Sequence, residues 1–416
     1  MSVVVQTRRL GDPEVAEVIL GQSPPSTTYN AHREGLPFYQ GKADFGLVHP
    51  TPRVWCTQGS KFAKPDDVLM SVRAPVGDVN MATEDAVVGR GVSAIRAAEG
   101  VDPWYLYFAL GFMKPALEAH ATGSTFASVN GATLRDLEIP FVPFDHQVAI
   151  GRTLRLLLTQ LQGEETALKA TAETKAAAMK RLFSQGLRGE AQKESEIGPI
   201  PRSWDPVPLG GLGRIGNGST PKRSNSDYWE GGTFPWLNSA KVYDRDIRDA
   251  DQFVTDVALQ ECHLPVLKPG AVLVAITGQG KTLGNVAVLG VQATINQHLA
   301  YLQTDLEKAV PKFVRAYLET KYDYLRSVAS GGGSTKGALT CGFLRAMTVP
   351  MPPTIDEQQA IVDVLDAVDR KIDLHRRKRE VLEQLFKSLL HKLMTGEVSV
   401  DDLDLSALPK LARSAA

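Results

Sequence analysis

The sequence predicts an α+β protein with a pseudo-two-fold internal repeat. Two similar mixed α/β domains are expected to be separated by two long helices that pack as an antiparallel coiled coil. Three observations predict this fold: the two halves of the chain resemble each other, each half contains short β-branched runs between turn residues, and each half ends in a long helical pattern. The length of 416 residues agrees, because a domain usually contains about 100 to 200 residues.

The repeat is clearest where each half leaves its domain and enters its long helix. The segment IPFVPFDHQVAIGRTL (139–154) matches VPMPPTIDEQQAIVDVL (349–365), with two prolines, a glutamine, an isoleucine and a leucine in the same order. Upstream, TGSTFASVNGATLRDLEIP (122–140) parallels GGGSTKGALTCGFLRAMTVP (331–350). A period of about 200 residues is too long for a solenoid, so it indicates two copies of one domain-plus-helix unit.

Each domain follows the same order of elements. Runs such as DVLMSV and AVLVAI between Gly, Ser and Pro residues predict strands. The segments 104–121 and 311–329 have apolar residues at spacings of three and four, which predicts a helix in each. A Gly/Ser loop, a strand and a Pro-rich exit follow. The expected boundaries are 1–144 for the first domain, 145–187 for the first long helix, 188–204 for a linker, 205–354 for the second domain, 355–396 for the second long helix and 397–416 for a C-terminal tail.

The two long helices carry a coiled-coil pattern. Asp145 and Asp356 follow the Pro-rich exits and are expected to be N-caps. An ordinary core-facing helix would show a similar stripe, but two copies at matching positions favour pairing of the helices with each other, antiparallel because a whole domain lies between them. The expected seam residues are Ile150, Leu154, Leu157, Leu161, Ile361, Leu365, Val368 and Ile372.

Polar residues interrupt this seam. They are Glu164 and Lys175 in the first helix and His375 and Arg379 in the second. Such residues weaken apolar packing but can set the register of the two helices.

Composition narrows the function classes. The formal net charge of −1 gives no global attraction to a polyanion, so any DNA contact must depend on local patches. The cysteines Cys56, Cys262 and Cys341 form no C-x-x-C pair, so no metal site is expected. No apolar run is long enough for a bilayer span and the N-terminal residues lack the order of a signal peptide, so we expect a cytoplasmic protein without a membrane partner.

The ordered succession of motifs resembles type I restriction DNA specificity subunits over essentially the whole chain. The motifs are GQSPPS, LPFYQGKADF, KPDDVLMSVRAPVGDV, the STF and STK loops, the Pro-x-x-Pro exit into Gln-x-x-Ile-x-x-x-Leu, MKRLFSQGLRG, GPIPRSW and LLHKLMTGEV. The resemblance implies that 1–144 and 205–354 are target recognition domains, each reading one half of a bipartite site. It also implies that the paired helices act as a ruler for the gap between the halves.

The same resemblance implies which chemistry belongs to other subunits. The expected partners are double-stranded DNA, two methylation subunits and motor/nuclease subunits of the restriction system. S-adenosylmethionine, ATP and Mg are expected on those partners, and no cofactor, metal or catalytic residue is expected in this chain. Two alternatives remain: a self-sufficient restriction or methylation enzyme, and a coiled-coil adaptor that does not read DNA.

Direct inspection for catalytic motifs agrees with a non-catalytic subunit. The sequence contains no N-P-P-Y or D-P-P-Y tetrapeptide of adenine methyltransferases and no G-x-S-x-G elbow. The segment AITGQGKT (275–282) ends like a phosphate-binding loop, but Ala275 stands where that motif requires glycine. A turn within the second domain is the favoured interpretation.

Candidate DNA contacts are chosen by residue type, since Arg and Lys suit guanine and phosphate while Asn and Gln suit adenine. Gln40 and Asn238 align across the repeat and are the most informative amides. The Gly/Ser loops 122–128 and 331–337 are further candidates for phosphate binding, although a plain connection is nearly as good an interpretation. For every basic candidate the alternative is a solvated surface charge. The candidates are Gln40, Lys42, Arg53, Arg73 and Arg90 in the first domain, and Lys222, Arg223, Asn238, Lys241, Lys281 and Lys336 in the second.

Overall fold

The computed structural model describes residues 5–120, 128–278, 280–331 and 338–403. The chain divides into two compact units: Met1–Ala167 with His375–Ala416 form the first, and Leu168–Leu374 form the second. Each unit holds one repeated domain together with segments of both long helices. The predicted class, two mixed α/β domains with two long helices packed antiparallel, is confirmed.

The domain of the first unit combines sheets with short helices. Its strands are β1 (Gln6–Arg9), β2 (Ala16–Leu20), β3 (Tyr29–Asn30), β4 (Leu36–Tyr39), β5 (Trp55–Cys56), β6 (Phe62–Ala63), β7 (Val68–Ser71), β8 (Val79–Met81), β9 (Ala86–Val88), β10 (Val92–Ala97) and β11 (Glu138–Phe141). Its helices are α1 (Pro103–Phe112), α2 (Lys114–His120) and α3 (Gly131–Arg135), with 3-10 turns at Ser26–Thr28 and Lys42–Asp44. One sheet has the order β2-β10-β7-β8, another has the order β3-β5-β4-β9-β6, and β1 pairs with β11.

The first long helix, α4 (Phe144–Gln185), leads into the second domain. The strands that follow it are β12 (Gln192–Lys193), β13 (Ile200–Pro201), β14 (Asp205–Pro208), β15 (Gly213–Asn217), β16 (Phe234–Leu237), β17 (Asp246–Ile247), β18 (Gln252–Val254), β19 (Ala271–Ala275), β20 (Val286–Leu289), β21 (Thr294–Ile295), β22 (Leu299–Thr304) and β23 (Thr348–Met351). The helices are α5 (Asp256–Glu261), α6 (Pro311–Thr320), α7 (Tyr322–Gly331), α8 (Cys341–Ala346) and the second long helix, α9 (Ile355–Thr395). The 3-10 turns are Leu209–Gly211, Ser226–Tyr228, Ser239–Asp244 and, after α9, Val400–Asp402.

The repeat seen in the sequence is also present in the sheets. The order β15-β22-β19-β20 in the second unit corresponds to β2-β10-β7-β8 in the first, and β14 pairs with β23 as β1 pairs with β11. All four residues of β7 and all five of β19 are buried, as expected for the DVLMSV and AVLVAI runs. The predicted strands are confirmed, and they form the centre of each domain.

Each helix predicted between the sheet strands is in fact two consecutive helices. In the first domain α1 ends at Phe112 and α2 begins at Lys114. Pro115 explains this break, because its ring removes the N–H that a continuous helix would use. In the second domain Lys321 has φ −101° and ψ 10° and separates α6 from α7.

The long helices begin one residue before the expected N-caps. α4 starts at Phe144 and α9 at Ile355, so Asp145 and Asp356 lie in the first turns and the N-cap prediction is wrong. In α9 the capping acceptor is Thr354, whose Oγ1 accepts from the backbone N–H of Glu357 at 3.2 Å. The two aspartates still favour the helix N-terminus through the helix dipole.

Three of the four polar residues that interrupt the seam, Glu164, Lys175 and His375, pair across the two helices. In the first unit Glu164 accepts from His375 Nδ1 at 2.6 Å and lies 2.5 Å from Lys378 Nζ. Hydrogen bonds from Lys378 and His375 hold the pKa of the Glu164 carboxyl below its usual value. In the second unit Lys175 Nζ lies 2.8 Å from Asp369 Oδ1. Such pairs fix one register of the two helices in each unit.

The apolar contacts give the direction of the helix pair. In the first unit Ile150 shares a buried cluster with Leu393 and Met394, whereas Glu164, further along α4, meets the earlier residue His375 of α9. Rising numbers on one helix therefore face falling numbers on the other, which is the antiparallel arrangement.

Four of the eight expected seam residues also belong to the cores of their domains. Ile150 and Leu154 belong to the cluster that contains Phe108 of α1, and Ile361 and Leu365 to the cluster that contains Phe313 of α6. The first turns of each long helix thus pack against the core of a domain and also lie on the surface that pairs with the other long helix. Burial is complete or nearly so at Ile150, Leu154, Leu157, Ile361, Leu365 and Ile372, and partial at Leu161 and Val368.

A buried glutamine anchors each long helix to its domain. Gln147 Oε1 accepts from the backbone N–H of Asp102 at 3.0 Å, and its Nε2 donates to the carbonyl of Val142 at 2.8 Å. Gln358 makes the equivalent accepting contact, from the N–H of Val310 at 2.8 Å. Its Nε2 donates to a different place, the carbonyl of Lys308 before α6, at 3.2 Å. Because both side-chain amides are buried, these bonds provide the partners that the amides would otherwise lack.

Within the described ranges, no helix combines the length and the apolar character that a membrane span requires.

Candidate nucleic-acid interface

In the first unit, the ends of several strands converge at one edge. The N–H of Gly89 donates to the carbonyl of Tyr39 at 2.8 Å, and the N–H of Val72 donates to the carbonyl of Gly91 at 3.0 Å. The N–H of Arg90 donates to Ser23 Oγ at 3.2 Å. These bonds bring together the residues that follow β2, β4, β7 and β9. We call Ser23, Gln40, Arg73 and Arg90 the first strand-end surface.

The second unit repeats the two backbone bonds of this arrangement. The N–H of Asn296 donates to the carbonyl of Leu237 at 2.9 Å, and the N–H of Ile276 donates to the carbonyl of His298 at 3.0 Å. By these equivalent bonds, Thr220, Asn238, Thr277 and Gln297 occupy the places of Ser23, Gln40, Arg73 and Arg90. Together with His298, at the place of Gly91, they form the second strand-end surface.

A glycine after β2 and after β15 permits this convergence. A Cβ on Gly21 would lie 2.2 Å from the carbonyl oxygen of Gly89, and a Cβ on Gly218 would lie 1.9 Å from that of Ile295. A side chain at either position would therefore push the turn away from the strand ends. This explains the shared glycine of the GQSPPS and GNGSTP motifs.

Ser128 and Ala338, the first described residues after the gaps in the two Gly/Ser segments, lie beside these surfaces. Ser128 forms an isolated antiparallel bridge with Arg73, and Ala338 forms one with Thr277. Residues 122–127 and 332–337 of the loops, and with them Lys336, lie outside the described residues.

Gln40 and Asn238, which align across the repeat, follow equivalent strands but make different hydrogen bonds. Gln40 is exposed directly after β4, and its backbone N–H donates to Asp44 Oδ2 at 2.7 Å. Asn238 follows β16, and its Oδ1 accepts from the N–H of Ala240 at 2.8 Å, which caps a 3-10 turn. Gln40 is thus the better placed of the two for a two-point contact with a base edge.

In the first unit the basic candidates fall into two groups. Arg53 donates from Nε to Asp44 Oδ1 at 2.8 Å, and Lys42 Nζ lies 3.2 Å from Asp78 Oδ1. By contrast, Arg73 and Arg90 are exposed and form no ion pair with a described residue. Their charge is therefore the more available to an anionic ligand.

Asp78 is a shared acceptor for two lysines. Lys114 Nζ lies 2.8 Å from the same Oδ1 that Lys42 contacts. Burial raises the pKa of the Asp78 carboxyl, but hydrogen bonds from both lysines outweigh it and hold the pKa below its usual value. The carboxylate consequently compensates part of the charge of Lys42.

In the second unit Lys241 is surrounded by carboxylates. Its Nζ lies 3.0 Å from Asp244, 2.6 Å from Asp249 and 3.6 Å from Asp251. Hydrogen bonds to Asp249 and Asp244 raise the pKa of the Lys241 ammonium. It is fully charged but locally neutralised, which makes it a weak candidate for a phosphate contact.

Arg223 stacks on aromatic rings beside the second strand-end surface. Its guanidinium carbon lies 3.8 Å from the ring centroid of Trp229 and 4.8 Å from that of Trp236. Its Nη2 donates to Gln252 Oε1 at 2.6 Å. Stacking holds the guanidinium flat at the surface, where it faces solvent next to the exposed Lys222.

Lys281 is exposed in the turn between β19 and β20. Its backbone carbonyl accepts from the Tyr322 hydroxyl at 2.8 Å. The AITGQGKT segment leads into a strand and not into a helix whose N-terminus could hold a phosphate. The interpretation as a domain turn is confirmed.

Side chains at these surfaces have the chemistry of base-edge contacts. Exposed guanidinium and amide groups on a rigid sheet edge suit guanine and adenine in the major groove. No cluster of three or more His, Cys, Asp or Glu side chains that could bind a metal ion occurs in the part of the chain that the structure describes.

Five members of the surfaces were missed by reasoning from residue type. They are Ser23, Thr220, Thr277, Gln297 and His298, and none of them is an Arg, a Lys or an Asn. Aligning VVGRGVSAI with TINQHLAYL across the repeat would have found Gln297 opposite Arg90.

Comparison with known proteins agrees with this architecture. The family model of the type I restriction modification DNA specificity domain matches residues 6–173 and 201–384. A crystal structure of a type I restriction-modification S subunit from M. genitalium superposes with a TM-score of 0.65 at 17% identity, covering 94% of this chain and 96% of that one. At that identity the likeness shows the shared fold.

Two relatives from Methanocaldococcus jannaschii are similar in sequence over shorter stretches. A putative type I restriction enzyme MjaX specificity subunit is 39% identical over 149 residues, which is 36% of this chain and 35% of that protein. The MjaIX specificity subunit is 30% identical over 210 residues, 49% of this chain and 47% of that protein. The matches thus span less than half the length of either relative. Because the family model covers most of the sequence in two copies, the chain belongs to the type I restriction-modification DNA specificity family.

Proposed function

We propose that this chain is the DNA-reading subunit of a type I restriction-modification complex, and that each domain reads one half of a bipartite site. The observation that carries the proposal is the pair of strand-end surfaces, built by equivalent backbone bonds in two copies of one domain. Two equivalent surfaces with different side chains suit two half-sites of different sequence.

Recognition would combine two kinds of contact. Exposed basic side chains such as Lys222 and Lys281 would bind phosphates and position the duplex, while Arg73, Arg90 and Gln297 would read base edges. Since the net charge is only −1, affinity would come from these local groups and fall as salt is raised.

The paired helices would hold the reading surfaces in a fixed relation. α4 has 42 residues and α9 has 41. At about 1.5 Å per residue each helix extends over roughly 60 Å, more than one DNA turn of about 34 Å. The polar pairs that fix the helix register support a role in setting the gap between half-sites.

The chemistry would reside on other subunits. Two methylation subunits would bind S-adenosylmethionine and methylate adenine, and motor/nuclease subunits would use ATP and Mg for translocation and cleavage. In this arrangement the chain itself catalyses nothing and directs where its partners act, in the cytoplasm.

The proposal is tested by sequencing methylated DNA from cells with and without this subunit, both carrying the methylation subunits. We expect a motif of two short halves around a fixed gap, present only with the subunit. Methyl transfer or ATP turnover by the purified chain alone would instead indicate a self-sufficient enzyme. Binding that does not distinguish the split sequence from a scrambled duplex at any salt concentration would indicate an adaptor.

A further inference from the structure

A series of side-chain hydrogen bonds crosses the second strand-end surface. Thr220 Oγ1 donates to Oε1 of Gln297, whose Nε2 lies 3.3 Å from His298 Nε2. The other ring nitrogen of His298, Nδ1, is hydrogen-bonded to Thr277 Oγ1. Gln297 and His298 are exposed, and the two threonines are half-buried at their sides. The exposed amide is thus held at one end by Thr220, from another strand end, and at the other by the adjacent His298, which Thr277 holds in turn.

The amide of Gln297 dictates the direction of every bond in this series. An amide oxygen only accepts and an amide nitrogen only donates, so Thr220 donates its hydroxyl proton and His298 Nε2 accepts. The proton of the neutral ring then lies on Nδ1, from which it is donated to Thr277 Oγ1. In this arrangement each of the three hydrogen bonds has one donor and one acceptor.

We propose that this series fixes Gln297 to read an adenine in the second half-site, an inference that rests on the DNA-reading function proposed above. Oε1 keeps a second lone pair and Nε2 keeps a second proton. An acceptor and a donor side by side match the N6 amino group and N7 of adenine in the major groove. Because the amide is oriented before DNA arrives, less side-chain ordering opposes binding.

His298 and Thr277 act through Gln297 and are positioning residues. Without the Thr277 hydroxyl, the His298 ring loses the acceptor that keeps its proton on Nδ1. The ring can then carry its proton on Nε2, facing the amide nitrogen of Gln297, and the amide is no longer held in one orientation.

The first strand-end surface has no counterpart of this series. Gly91 stands at the place of His298, and a Cβ there would lie 2.2 Å from the carbonyl oxygen of Gln40. Arg90, at the place of Gln297, presents a guanidinium, which suits guanine. The fixed amide is therefore a property of the second domain.

The test uses the assembled complex in cells with its methylation subunits, and reads base preference from the methylated motif. Gln297→Glu replaces the donor with a second acceptor, so one position of the second half-site should change from adenine to cytosine. Thr277→Val should lower the preference for adenine at that position by roughly 5- to 100-fold. Thr277→Ser, which keeps the hydroxyl, should leave the motif unchanged, and the first half-site should be constant throughout.

Three outcomes would overturn the inference. An unaltered second half-site with Gln297→Glu would show that this side chain reads no base. Equal behaviour of Thr277→Val and Thr277→Ser would show that the Thr277 hydroxyl does not position Gln297. This comparison tests the inference even if the Gln297→Glu variant does not assemble. A uniform loss at all sequences would indicate a structural role only. If instead the unsubstituted subunit gives no split motif, the proposed function itself fails.

Discussion

Arg90 in the first domain and Gln297 in the second occupy equivalent positions, and the backbone bonds around them are the same. Their side chains differ in charge, in hydrogen-bonding pattern and in support. Arg90 forms no ion pair with a described residue, whereas Gln297 is held by Thr220 and His298. The difference teaches that the duplicated backbone sets the position of a side chain at the surface, while the side chain sets which hydrogen-bonding groups are presented there.

The hydrogen bonds that support the two positions also differ: one holds the backbone and the other holds the side chain. Ser23 Oγ accepts a hydrogen bond from the backbone N–H of Arg90. This bond holds the main chain but does not orient the guanidinium. Thr220 donates to the Gln297 side chain and so holds the reading group itself. We therefore expect the first surface to depend on charge and the second on geometry.

The largest effect is expected from shortening both long helices. Removing 165–171 from α4 and 368–374 from α9 deletes about two turns, or about 10 Å, which is roughly three base pairs of DNA. The two domains would keep their separate preferences while the gap between half-sites shortens, or the complex would fail to assemble. Sequencing of methylated DNA measures the gap. An unchanged gap with full methylation would remove the ruler role.

The next largest effect is expected from exchanging the reading residue of one domain for that of the other. Arg90→Gln should reduce the preference for guanine at one position of the first half-site by about 1–3 kcal/mol, roughly 5- to 150-fold, because an amide lacks the two parallel donors of a guanidinium. Competition binding with duplexes that differ at that position measures it. Arg152→Gln, an exposed substitution on α4, is the matched control and should change nothing. If both variants lose the same amount of binding, Arg90 contributes only through its positive charge and does not distinguish guanine.

An effect of similar size, but on stability, is expected in both units at the anchoring glutamines. Gln147→Leu and Gln358→Leu each remove the partner of one backbone N–H and one carbonyl, so each should lower the free energy of unfolding by about 1–3 kcal/mol. Denaturant unfolding measures the change. Gln359→Leu, at an exposed neighbouring position, is the control. A neutral result in one unit would show that the two helix anchors are not equivalent.

The smallest effect separates two lysines of the second domain. Lys281→Ala should reduce the salt dependence of DNA binding by about one unit of slope and weaken binding to all sequences alike. Lys241→Ala should change the slope little, because three carboxylates already neutralise that ammonium. Binding isotherms over a range of salt concentrations give both slopes. The reverse order would show that the Lys241 cluster opens when DNA binds.

The fold could be predicted from the sequence because the patterns that indicate it lie within short stretches of the chain or recur between its two halves. The repeat, the buried runs of β7 and β19, and the apolar spacing of α4 and α9 all depend on residues near in sequence. The predicted starts of the long helices were wrong by a residue or two. In α9, Thr354 caps the N-terminus and Asp356 lies in the first turn. The break at Pro115 was also readable in principle.

The site was accessible only in part because its contacts are long-range. Gln40, Arg73 and Arg90 could be chosen by residue type, but their convergence depends on hydrogen bonds between distant strand ends. The neutralisation of Lys241 depends on aspartates along a folded loop. No local pattern marks Gln297, whose importance arises from Thr220, about 80 residues earlier in the chain.

The central claim, that each domain reads its own half of a split site, is tested most directly by exchanging residues 1–144 for the corresponding domain of another family member. Methylated DNA is then sequenced from cells that carry the hybrid subunit and its methylation partners. We expect the first half of the motif to change to that of the donor while the second half and the gap are retained. A change in both halves, or in neither, would contradict the claim.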